Sequence, residues 1–264
     1  MNISFAGKIA LVTGSTSGIG LAIVRGLAAA GAETIVNGRS KDKVDRVVAE
    51  LKRALPEAKL RGVAADVADA AGCDALVRAV PQVDILINNA GIFEPKDFFA
   101  IPDADWTRFN ETNVMSGVRL SRAWMPGMLK RNWGRIIFIS SESGLQIPAE
   151  MIHYGVTKTA QLALSRGLAE LTAGTGVTVN AVLPGPTRSE GVETFLQEMA
   201  KKEKTDVESM ARDFVKHHRP TSLLQRFATV EEVANMVVYV ASTQASATNG
   251  AALRVDGGVV RAIA

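Results

Sequence analysis

The sequence predicts one α/β domain built on a mostly parallel, doubly wound sheet of about seven strands. Short apolar runs alternate with longer helical segments along the chain, which is typical of the crossover units that form parallel sheets. The runs are apolar throughout, as in residues 136–139, and this indicates strands that are buried on both faces. No linker-like change of composition interrupts the 264 residues, so we assign residues 1–264 to a single domain.

The first half of the chain supplies four strands and three helices. Short runs rich in β-branched and other apolar residues predict strands at residues 8–12, 33–36, 60–65 and 84–87. The longer segments between them predict helices at residues 18–30, 41–55 and 70–80. Pro56 and Pro81 follow the last two helices and bound them, because proline cannot continue a helix.

The second half repeats this alternation with longer helices. A helical region at residues 103–131 contains Pro126, which we expect to kink it near its end. The remaining elements are strands at residues 135–139, 177–182 and 251–255 and helices at residues 152–173 and 230–241.

Residues 187–220 interrupt the alternation. The segment is charged, helical in pattern, and carries Phe195, Met199, Met210 and Phe214. It follows the carboxyl end of a strand, where ligands bind in open α/β sheets. We interpret it as a helical lid over a substrate. The alternative is a surface insertion with a half-buried apolar face.

Composition and charge argue against several classes of function. The net charge is +3 with acids spread among the bases, so nothing indicates a nucleic-acid surface. The single cysteine, Cys73, cannot form an intramolecular disulfide, and the three histidines show no metal-ligand spacing. No apolar run reaches the length of a membrane span, and residues 1–11 lack the pattern of a secretory signal. We expect a cytoplasmic protein without metal, membrane or nucleic-acid partner.

Tyr154 and Lys158 lie four residues apart, and Ser141 lies upstream at the end of a predicted strand. On a helix, residues i and i+4 share a face, so the phenol and the ammonium would point into the same space. A nearby cation favours the phenolate, and bringing the phenol pKa from about 10 to about 7 needs roughly 4 kcal/mol. We therefore expect Lys158 to lower the pKa of Tyr154, although this spacing also occurs by chance on solvated helices.

A glycine-rich turn follows the first predicted strand and opens the first predicted helix. Gly14 permits a tight turn, Gly18 lets the backbone approach a pyrophosphate, and Gly20 allows close packing of helix on strand. Free N–H groups and the helix dipole favour an anion there. The spacing is G-x-x-x-G-x-G, and glycines also serve ordinary turns. The cofactor-binding residues that we expect in this turn are Gly14, Ser15, Thr16, Ser17, Gly18, Ile19 and Gly20.

The end of the second predicted strand bears on the choice of cofactor. An acid there would bind a ribose 2′-hydroxyl, whereas an arginine accommodates a 2′-phosphate. Residues 36–40 contain Arg39 and no acid. We therefore favour NADP(H), with NAD(H) possible. The alternative role for Arg39 is stacking on the adenine face.

Together these segments resemble the short-chain dehydrogenase/reductase family over nearly the whole chain. The resemblance rests on Thr13-Gly14, Gly18-Ile19-Gly20, Asp66-Val67, Asn88-Asn89-Ala90-Gly91, Asn113, Ile139-Ser140-Ser141, Tyr154, Lys158, Asn180, Pro184-Gly185 and Asp256-Gly257-Gly258. It implies a Rossmann-like fold and an NAD(P)(H)-dependent enzyme that interconverts a carbonyl and a secondary alcohol by hydride transfer.

The resemblance implies four catalytic residues. Tyr154 would be the general acid for reduction or the base for oxidation. Lys158 would hold the nicotinamide ribose hydroxyls and lower the pKa of Tyr154. Ser141 would hydrogen-bond the substrate oxygen, with Ser140 as the competing candidate. Asn113 would hold a water that relays protons from Lys158 to solvent, unless it is a helix-interior asparagine that bonds a local carbonyl.

The resemblance also implies further cofactor contacts. Asp66 would contact the adenine amine, with Val67 beside the ring, although Asp66 could instead be a helix N-cap near Ala68. The other contacts are Asn89, Ala90 and Gly91 along the adenosine ribose, Pro184 and Gly185 beside the nicotinamide, and Thr187 or Ser189 at its carboxamide.

Two other functions stay open. A 3-oxoacyl-[acyl-carrier-protein] reductase is one, which is weakened because Thr175 stands where those relatives tend to have a basic residue. A non-catalytic protein that senses a dinucleotide is the other, which is weakened because all four catalytic groups are present.

Two further features concern surfaces. A face of small and apolar residues, Ala160, Ala163, Leu164 and Leu168, suits packing into the homotetramer that is common in the family; the alternative is a core-facing stripe. His153 faces away from its neighbour Tyr154 on a helix, and we interpret it as a pocket-wall or interface residue. Glu142 and Glu150 flank the expected pocket.

Overall fold

A parallel sheet of seven strands forms the centre of the structure, a computed structural model that describes residues 2–263. The order across the sheet is β3-β2-β1-β4-β5-β6-β9, and β7 and β8 pair separately. The strands are β1 (Ile9–Val12), β2 (Glu33–Gly38), β3 (Leu60–Ala64), β4 (Ile85–Asn88), β5 (Gly134–Ile139), β6 (Val177–Pro184), β7 (Thr187–Arg188), β8 (Ala228–Thr229) and β9 (Ala252–Val255). The predicted fold class is confirmed.

Helices cover both faces of this sheet. They are α1 (Gly18–Ala29), α2 (Lys41–Ala54), α3 (Ala70–Ala79), α4 (Asp103–Asn110), α5 (Ser116–Lys130), α6 (Ile152–Glu170), α7 (Glu190–Glu203), α8 (Val207–His218) and α9 (Val230–Ala241). One apolar cluster packs α1, α2 and α9 on the sheet, and a second packs α3, α5 and α6 on the other face. Within residues 2–263, no helix combines the length and apolar character needed to cross a membrane.

The strand order reverses direction between β1 and β4, which lie side by side at the centre of the sheet. Val12 at the end of β1 is in register with Val36 of β2 and Ile87 of β4. The loops that follow these three strands therefore meet at one edge of the sheet. In open α/β sheets this reversal point is where ligands bind.

The helical region expected at residues 103–131 is interrupted, but not at Pro126. A π-helical turn at Glu111–Met115 separates α4 from α5, whereas α5 continues through Pro126. Pro126 lies on the exposed side of α5, where water can hydrate the carbonyl that loses its partner. The helix is therefore not interrupted at Pro126, and the break in the expected helical region lies in the turn that contains Asn113.

The segment expected to be helical at residues 187–220 contains β7, α7 and α8. These two helices pack on each other around a third apolar cluster that includes Leu196, Met210 and Val215. Met199 and Phe214 pack against this cluster and, together with Phe195, also line a cavity. The segment therefore places an apolar surface over the carboxyl ends of the strands.

Candidate functional site

A cavity of about 600 Å³ lies where the carboxyl ends of β4, β5 and β6 meet α7 and α8. Aromatic and other apolar side chains of the lid segment form much of its wall, including Phe195, Met199 and Phe214. The predicted site residues that line it are Ile19, Asn89, Gly91, Ser141, Tyr154, Lys158, Pro184, Gly185, Thr187 and Ser189. Residues from α1, from α6 and from the chain at the ends of β4, β5 and β6 thus converge on one space.

The glycine turn adopts a geometry that only glycine accommodates without strain. Gly14 and Gly18 have φ values of +60° and +55°, in the left-handed region that glycine favours. A Cβ on Gly20 would lie 2.5 Å from the Asn89 side-chain nitrogen and 2.7 Å from the Gly14 carbonyl oxygen. The turn is therefore packed tightly against the loop that follows β4.

Asn37, which the sequence arguments did not single out, holds this turn. Its Oδ1 accepts a hydrogen bond from the Gly14 N–H at 3.3 Å, and its Nδ2 donates to the carbonyls of Val63 and Ala65 at 3.1 Å each. The Ser15 hydroxyl donates to the Val12 carbonyl at 2.7 Å. The Ser15 side chain therefore supports the turn from within. The only sign of Asn37 in the sequence was a polar residue at the end of a buried strand.

The start of α1 fits a dinucleotide phosphate. Ser17 stands at the N-cap without a side-chain capping bond, and the first turn carries no acid. The first N–H groups of a helix have no partner within the helix and attract an anion. Arg39 is exposed and forms no ion pair with the part of the chain that the structure describes, so it is available to a 2′-phosphate. Thr16 packs against Gly38 beside it.

Two predicted adenine contacts have other structural roles. Asp66 accepts a hydrogen bond from the Ala68 N–H at 3.1 Å but is not the helix N-cap that the alternative expected. The helix α3 has Asp69 as its N-cap instead. The Val67 side chain is buried in the core. Only a free carboxylate oxygen of Asp66 and the backbone of Val67 remain for an adenine.

The loops after β4 and β6 place the other predicted cofactor residues. Asn89 donates from Nδ2 to the carbonyls of Thr13 and Gly14 at 2.8 and 3.1 Å, and the Ala90 N–H donates to the Thr13 hydroxyl at 2.9 Å. A Cβ on Gly91 would lie 3.6 Å from the Lys158 Nζ. Asn89 and Ala90 therefore fix the turn, while Gly91 leaves room beside the lysine.

The two hydroxyls expected at a carboxamide are engaged locally. The Thr187 hydroxyl donates to the Gly185 carbonyl at 2.9 Å. Ser189 is the N-cap of α7, and its hydroxyl accepts from the Val192 N–H. Its Cβ lies 3.2 Å from where a Cβ on Gly18 would stand, so the beginning of the lid touches the glycine turn.

Tyr154 and Lys158 share one face of α6, as their spacing predicts. The Lys158 Nζ lies 5.5 Å from the centre of the Tyr154 ring. It donates to the carbonyl of Ile139 at 2.8 Å and to Oε1 of Gln161 at 3.2 Å. Both acceptors are uncharged, and the lysine is buried. The ammonium therefore has no carboxylate in hydrogen-bond contact among the residues described.

Burial shifts the pKa values of both Tyr154 and Lys158. Burial, followed by the negative charge of Glu142, raises the pKa of Tyr154 well above 10, while the Ser141 hydroxyl and the Arg219 guanidinium act against that rise. Burial lowers the pKa of Lys158 to about 7. The net pKa shift of Tyr154 is therefore opposite to the lowering expected from Lys158, because desolvation and Glu142 outweigh the groups that lower the pKa.

Ser141 and Ser140 are distinguished by their partners. The Ser140 hydroxyl donates to the Lys158 carbonyl at 2.9 Å and so ties β5 to α6. The Ser141 hydroxyl faces the cavity, donates to Oε2 of Glu142, and accepts from the Ser143 N–H at 3.1 Å. This geometry favours Ser141 over Ser140 as the group that meets a substrate.

Asn113 lies in the π-helical turn and is fully engaged by protein groups. Its Oδ1 accepts from the Ile92 N–H at 2.8 Å. Its Nδ2 donates to the Ile92 carbonyl at 3.0 Å and also to the Thr157 hydroxyl. Its own carbonyl accepts from Nε2 of Gln161 at 2.5 Å. The link between Lys158 and Asn113 that the resemblance assigned to a water is made here by Gln161, a residue that the sequence arguments missed.

Arg219 is a further residue that the sequence arguments missed. It follows α8, and its Nε donates to Oε1 of Glu142 at 2.9 Å. Its NH1 donates to Glu150 at 3.2 Å and to the His218 carbonyl at 2.7 Å. Glu142 and Glu150 do flank the cavity, as expected, but both are paired with this arginine from the lid.

His153 lies in the core and not at the cavity wall or the surface. Its ring is fully buried, with its centre 4.1 Å from that of Phe109 and 6.1 Å from that of Trp106, both on α4. Neither ring nitrogen has a hydrogen-bond partner within the described chain. The interpretation as a pocket-wall or interface residue is wrong, because the side chain turns towards α4.

Metal ligands do not assemble in the described residues. No group of three His, Cys, Asp or Glu side chains within residues 2–263 is arranged to hold a metal ion.

Comparisons with known proteins agree on one family. A family model described as short chain dehydrogenase matches residues 8–200. The uncharacterized oxidoreductase YvaG of Bacillus subtilis (strain 168) is 51% identical over 263 residues, covering 100% of both chains. The 3-oxoacyl-[acyl-carrier-protein] reductase FabG of Escherichia coli (strain K12) is 34% identical over 97% of this chain and 99% of that protein. The structure of L-sorbose reductase from Gluconobacter frateurii, complexed with NADPH and L-sorbose, has a TM-score of 0.94 at 34% identity and covers 100% of both chains.

Proposed function

Because this chain belongs to the short-chain dehydrogenase family, we propose that it is an NADP(H)-dependent oxidoreductase that interconverts a carbonyl and a secondary alcohol. The observation that carries the proposal is the meeting of Ser141, Tyr154 and Lys158 in one cavity beside the glycine turn. NADP(H) is favoured over NAD(H) because Arg39 is exposed at the end of β2. The similar L-sorbose reductase was solved with NADPH, which supports the same choice.

Each residue has a distinct role in the proposed reaction. When bound, the reduced nicotinamide supplies the hydride that adds to the carbonyl carbon. Tyr154 donates its phenolic proton to the carbonyl oxygen as the negative charge develops. Ser141 donates a hydrogen bond to the same oxygen and stabilises that charge. Lys158 lies beside Gly91, where it can hold the hydroxyls of the cofactor ribose.

The protonation states of the free protein suit carbonyl reduction. Burial and Glu142 raise the pKa of Tyr154, so the phenol is protonated at neutral pH and ready to donate. Alcohol oxidation would need the phenolate, which is disfavoured until another charge enters the site. In the free protein the phenol therefore carries the proton that carbonyl reduction consumes.

Phenylalanine at position 154 tests the proposal. Tyr154→Phe removes the proton donor and keeps the ring that packs against Phe93, so NADPH binding should be unchanged. We expect kcat for a carbonyl substrate to fall by about 10²–10⁴-fold. The measurements are NADPH oxidation across a carbonyl panel and NADPH binding by fluorescence. Full turnover by this variant would overturn the proposed mechanism.

Carrier-protein substrates are less well supported. The similarity to FabG keeps a 3-oxoacyl-[acyl-carrier-protein] reductase as the alternative. Thr175 uses its hydroxyl to bond the Thr172 carbonyl and offers no positive charge to an acidic carrier. The non-catalytic alternative is disfavoured because the family assignment and all four predicted groups point to an enzyme.

We also propose that the protein associates with copies of itself. An apolar groove between α5 and α6 is lined by Val118, Met125, Leu164, Leu168 and Leu171. Ala163 on the same face is exposed, so this stripe does not pack entirely into the core. The homotetramer expected from the resemblance would cover it.

A further inference from the structure

We propose that Glu142 binds a hydroxyl group on the carbon next to the reacting carbonyl, so that the preferred substrates are α-hydroxy ketones. In the reverse direction these are vicinal diols. The inference rests on the proposed function, because it concerns the same cavity, and it adds a substrate class to it. It is carried by the contacts of Ser141, Glu142 and Arg219.

Glu142 is a buried carboxylate with one partner on each oxygen. It is only 4% exposed. Its Oε1 accepts from Arg219, and its Oε2 accepts from the Ser141 hydroxyl. No other donor reaches Oε2 from the residues that the structure describes. Oε2 therefore depends on Ser141 for its hydrogen bond.

Catalysis requires Ser141 to break this bond. A serine hydroxyl has a single proton, and Ser141 cannot donate it to Glu142 and to a substrate oxygen at the same time. When Ser141 turns to the reacting oxygen, Oε2 of Glu142 loses its donor. A buried acceptor without a donor is costly, so a simple ketone binds with a penalty.

An α-hydroxyl removes this penalty. The two oxygens of an α-hydroxy ketone lie about one hydrogen-bond length apart, which matches the separation of Ser141 and Glu142. The carbonyl oxygen can therefore accept from Ser141 while the neighbouring hydroxyl donates to Oε2. The site then resembles others that reject analogues lacking a hydroxyl, because a buried polar group of the protein would be left unpaired.

Arg219 holds the Glu142 side chain in place through the hydrogen bond to Oε1. Arg219 is itself only 9% exposed, and its guanidinium also binds Glu150. The rest of the wall is largely apolar, with Phe93, Phe195 and Phe214. The cavity thus fits a substrate with an apolar body and one polar end, where the carbonyl and the hydroxyl lie side by side.

Matched ketones test the proposal. We would measure kcat/KM with NADPH for 2-hydroxyacetophenone, 2-fluoroacetophenone and acetophenone, and for the corresponding series of 2-butanone. Fluorine withdraws electrons as a hydroxyl does but cannot donate a hydrogen bond. The wild-type protein should prefer the hydroxy ketone over the fluoro ketone by roughly 10- to 100-fold.

Glu142→Gln separates the hydroxyl contact from general effects on folding. Arg219 will orient the amide oxygen towards itself, which leaves the amide nitrogen facing Ser141 and removes the acceptor. The ratio of kcat/KM for the hydroxy ketone to kcat/KM for the fluoro ketone should fall close to one. Glu150→Gln is the matched control, because Glu150 pairs with Arg219 but does not touch Ser141, and it should keep the wild-type ratio. Melting temperatures report on folding.

The outcomes separate the inference from the function on which it rests. Equal kcat/KM for the hydroxy and fluoro ketones, or an unchanged ratio in Glu142→Gln, would overturn the hydroxyl site while the reductase proposal stands. An equal loss of the ratio in Glu150→Gln would assign the preference to the charge cluster and not to Glu142, and would also overturn it. No NADPH oxidation with any carbonyl would overturn the proposed function itself.

Discussion

Lys158 is held by two uncharged oxygens, the carbonyl of Ile139 and the side-chain oxygen of Gln161. Hydrogen bonds to neutral acceptors stabilise an ammonium less than a carboxylate does, and burial acts against the charge. The pKa of Lys158 therefore falls to about 7. A lysine that titrates near neutral pH makes its protonation state a variable of the reaction.

Changing the acceptor should change the pH dependence. In Gln161→Glu, a carboxylate would stand 3.2 Å from the ammonium and raise the pKa of Lys158 by roughly one to three units. If the charged lysine is the active form, wild-type activity falls as the pH rises through this pKa. The alkaline limb of kcat/KM should move to higher pH in the variant.

The measurement is a full pH profile with saturating NADPH. Gln244→Glu makes the same substitution at an exposed position and should leave the profile unchanged. An alkaline limb at the wild-type pH in Gln161→Glu would show that Gln161 does not set the environment of Lys158.

Arg39 should determine the preference for the phosphorylated cofactor. Arg39→Leu removes the cation at the end of β2, and a charge-assisted hydrogen bond contributes about 1.5–3 kcal/mol. We expect kcat/KM for NADPH to fall by about 10- to 100-fold and the value for NADH to change little. Steady-state kinetics with both cofactors check this. Arg46→Leu, an exposed arginine on α2, is the control, and an equal loss with NADPH and NADH would contradict the assignment.

At the scale of elements, α6 is the main organising helix of the site. Its first turns carry Tyr154 and Lys158 towards the cavity and His153 towards α4. The π-helical turn between α4 and α5 brings Asn113 against the side chain of Gln161. The packing of α4 on α6 therefore bears directly on the geometry of the catalytic groups.

Acid should weaken this packing through His153. Burial lowers its pKa below the usual 6.5, although Asp105 and Glu94 partly oppose this and Arg108 and Lys96 reinforce it. The unfolded chain thus binds a proton near pH 6.5, whereas the folded protein binds it only at lower pH. Neutral His153 therefore contributes fully to the free energy of unfolding above pH 6.5. This contribution is lost as the pH falls from 6.5 through the pKa of His153 in the folded protein, at up to about 1.4 kcal/mol per pH unit.

Denaturant unfolding between pH 7.5 and 5 measures this effect. His153→Phe keeps the ring contact with Phe109 and cannot be protonated, so its stability should depend less on pH than that of the wild type. His217→Gln, on the exposed side of α8, should retain the wild-type slope. A slope that His153→Phe leaves unchanged would exclude His153 as the acid-sensitive group.

At the scale of the whole molecule, the α5/α6 groove is the apolar surface that a second copy is expected to cover. Leu171 is 66% exposed at one end of this groove. Leu171→Glu would place a charge in the proposed interface and should shift the protein towards smaller species in sedimentation velocity. Phe99→Glu changes an exposed residue outside the groove and should leave the assembly intact. A wild-type protein that sediments as a monomer would refute the association.

The sequence by itself determined the order of strands and helices, the glycine turn and the shared face of Tyr154 and Lys158. These features depend on periodicity and on residues close in the chain, which act locally. Only the tertiary structure decided the partners of those groups, since Arg219 meets Glu142 across 77 residues and Gln161 meets Asn113 across 48. Desolvation and hydrogen bonding depend on such distant contacts. The spacing therefore placed the phenol beside the ammonium, but burial set the direction of both pKa shifts, which Glu142 reinforces for Tyr154 and opposes for Lys158.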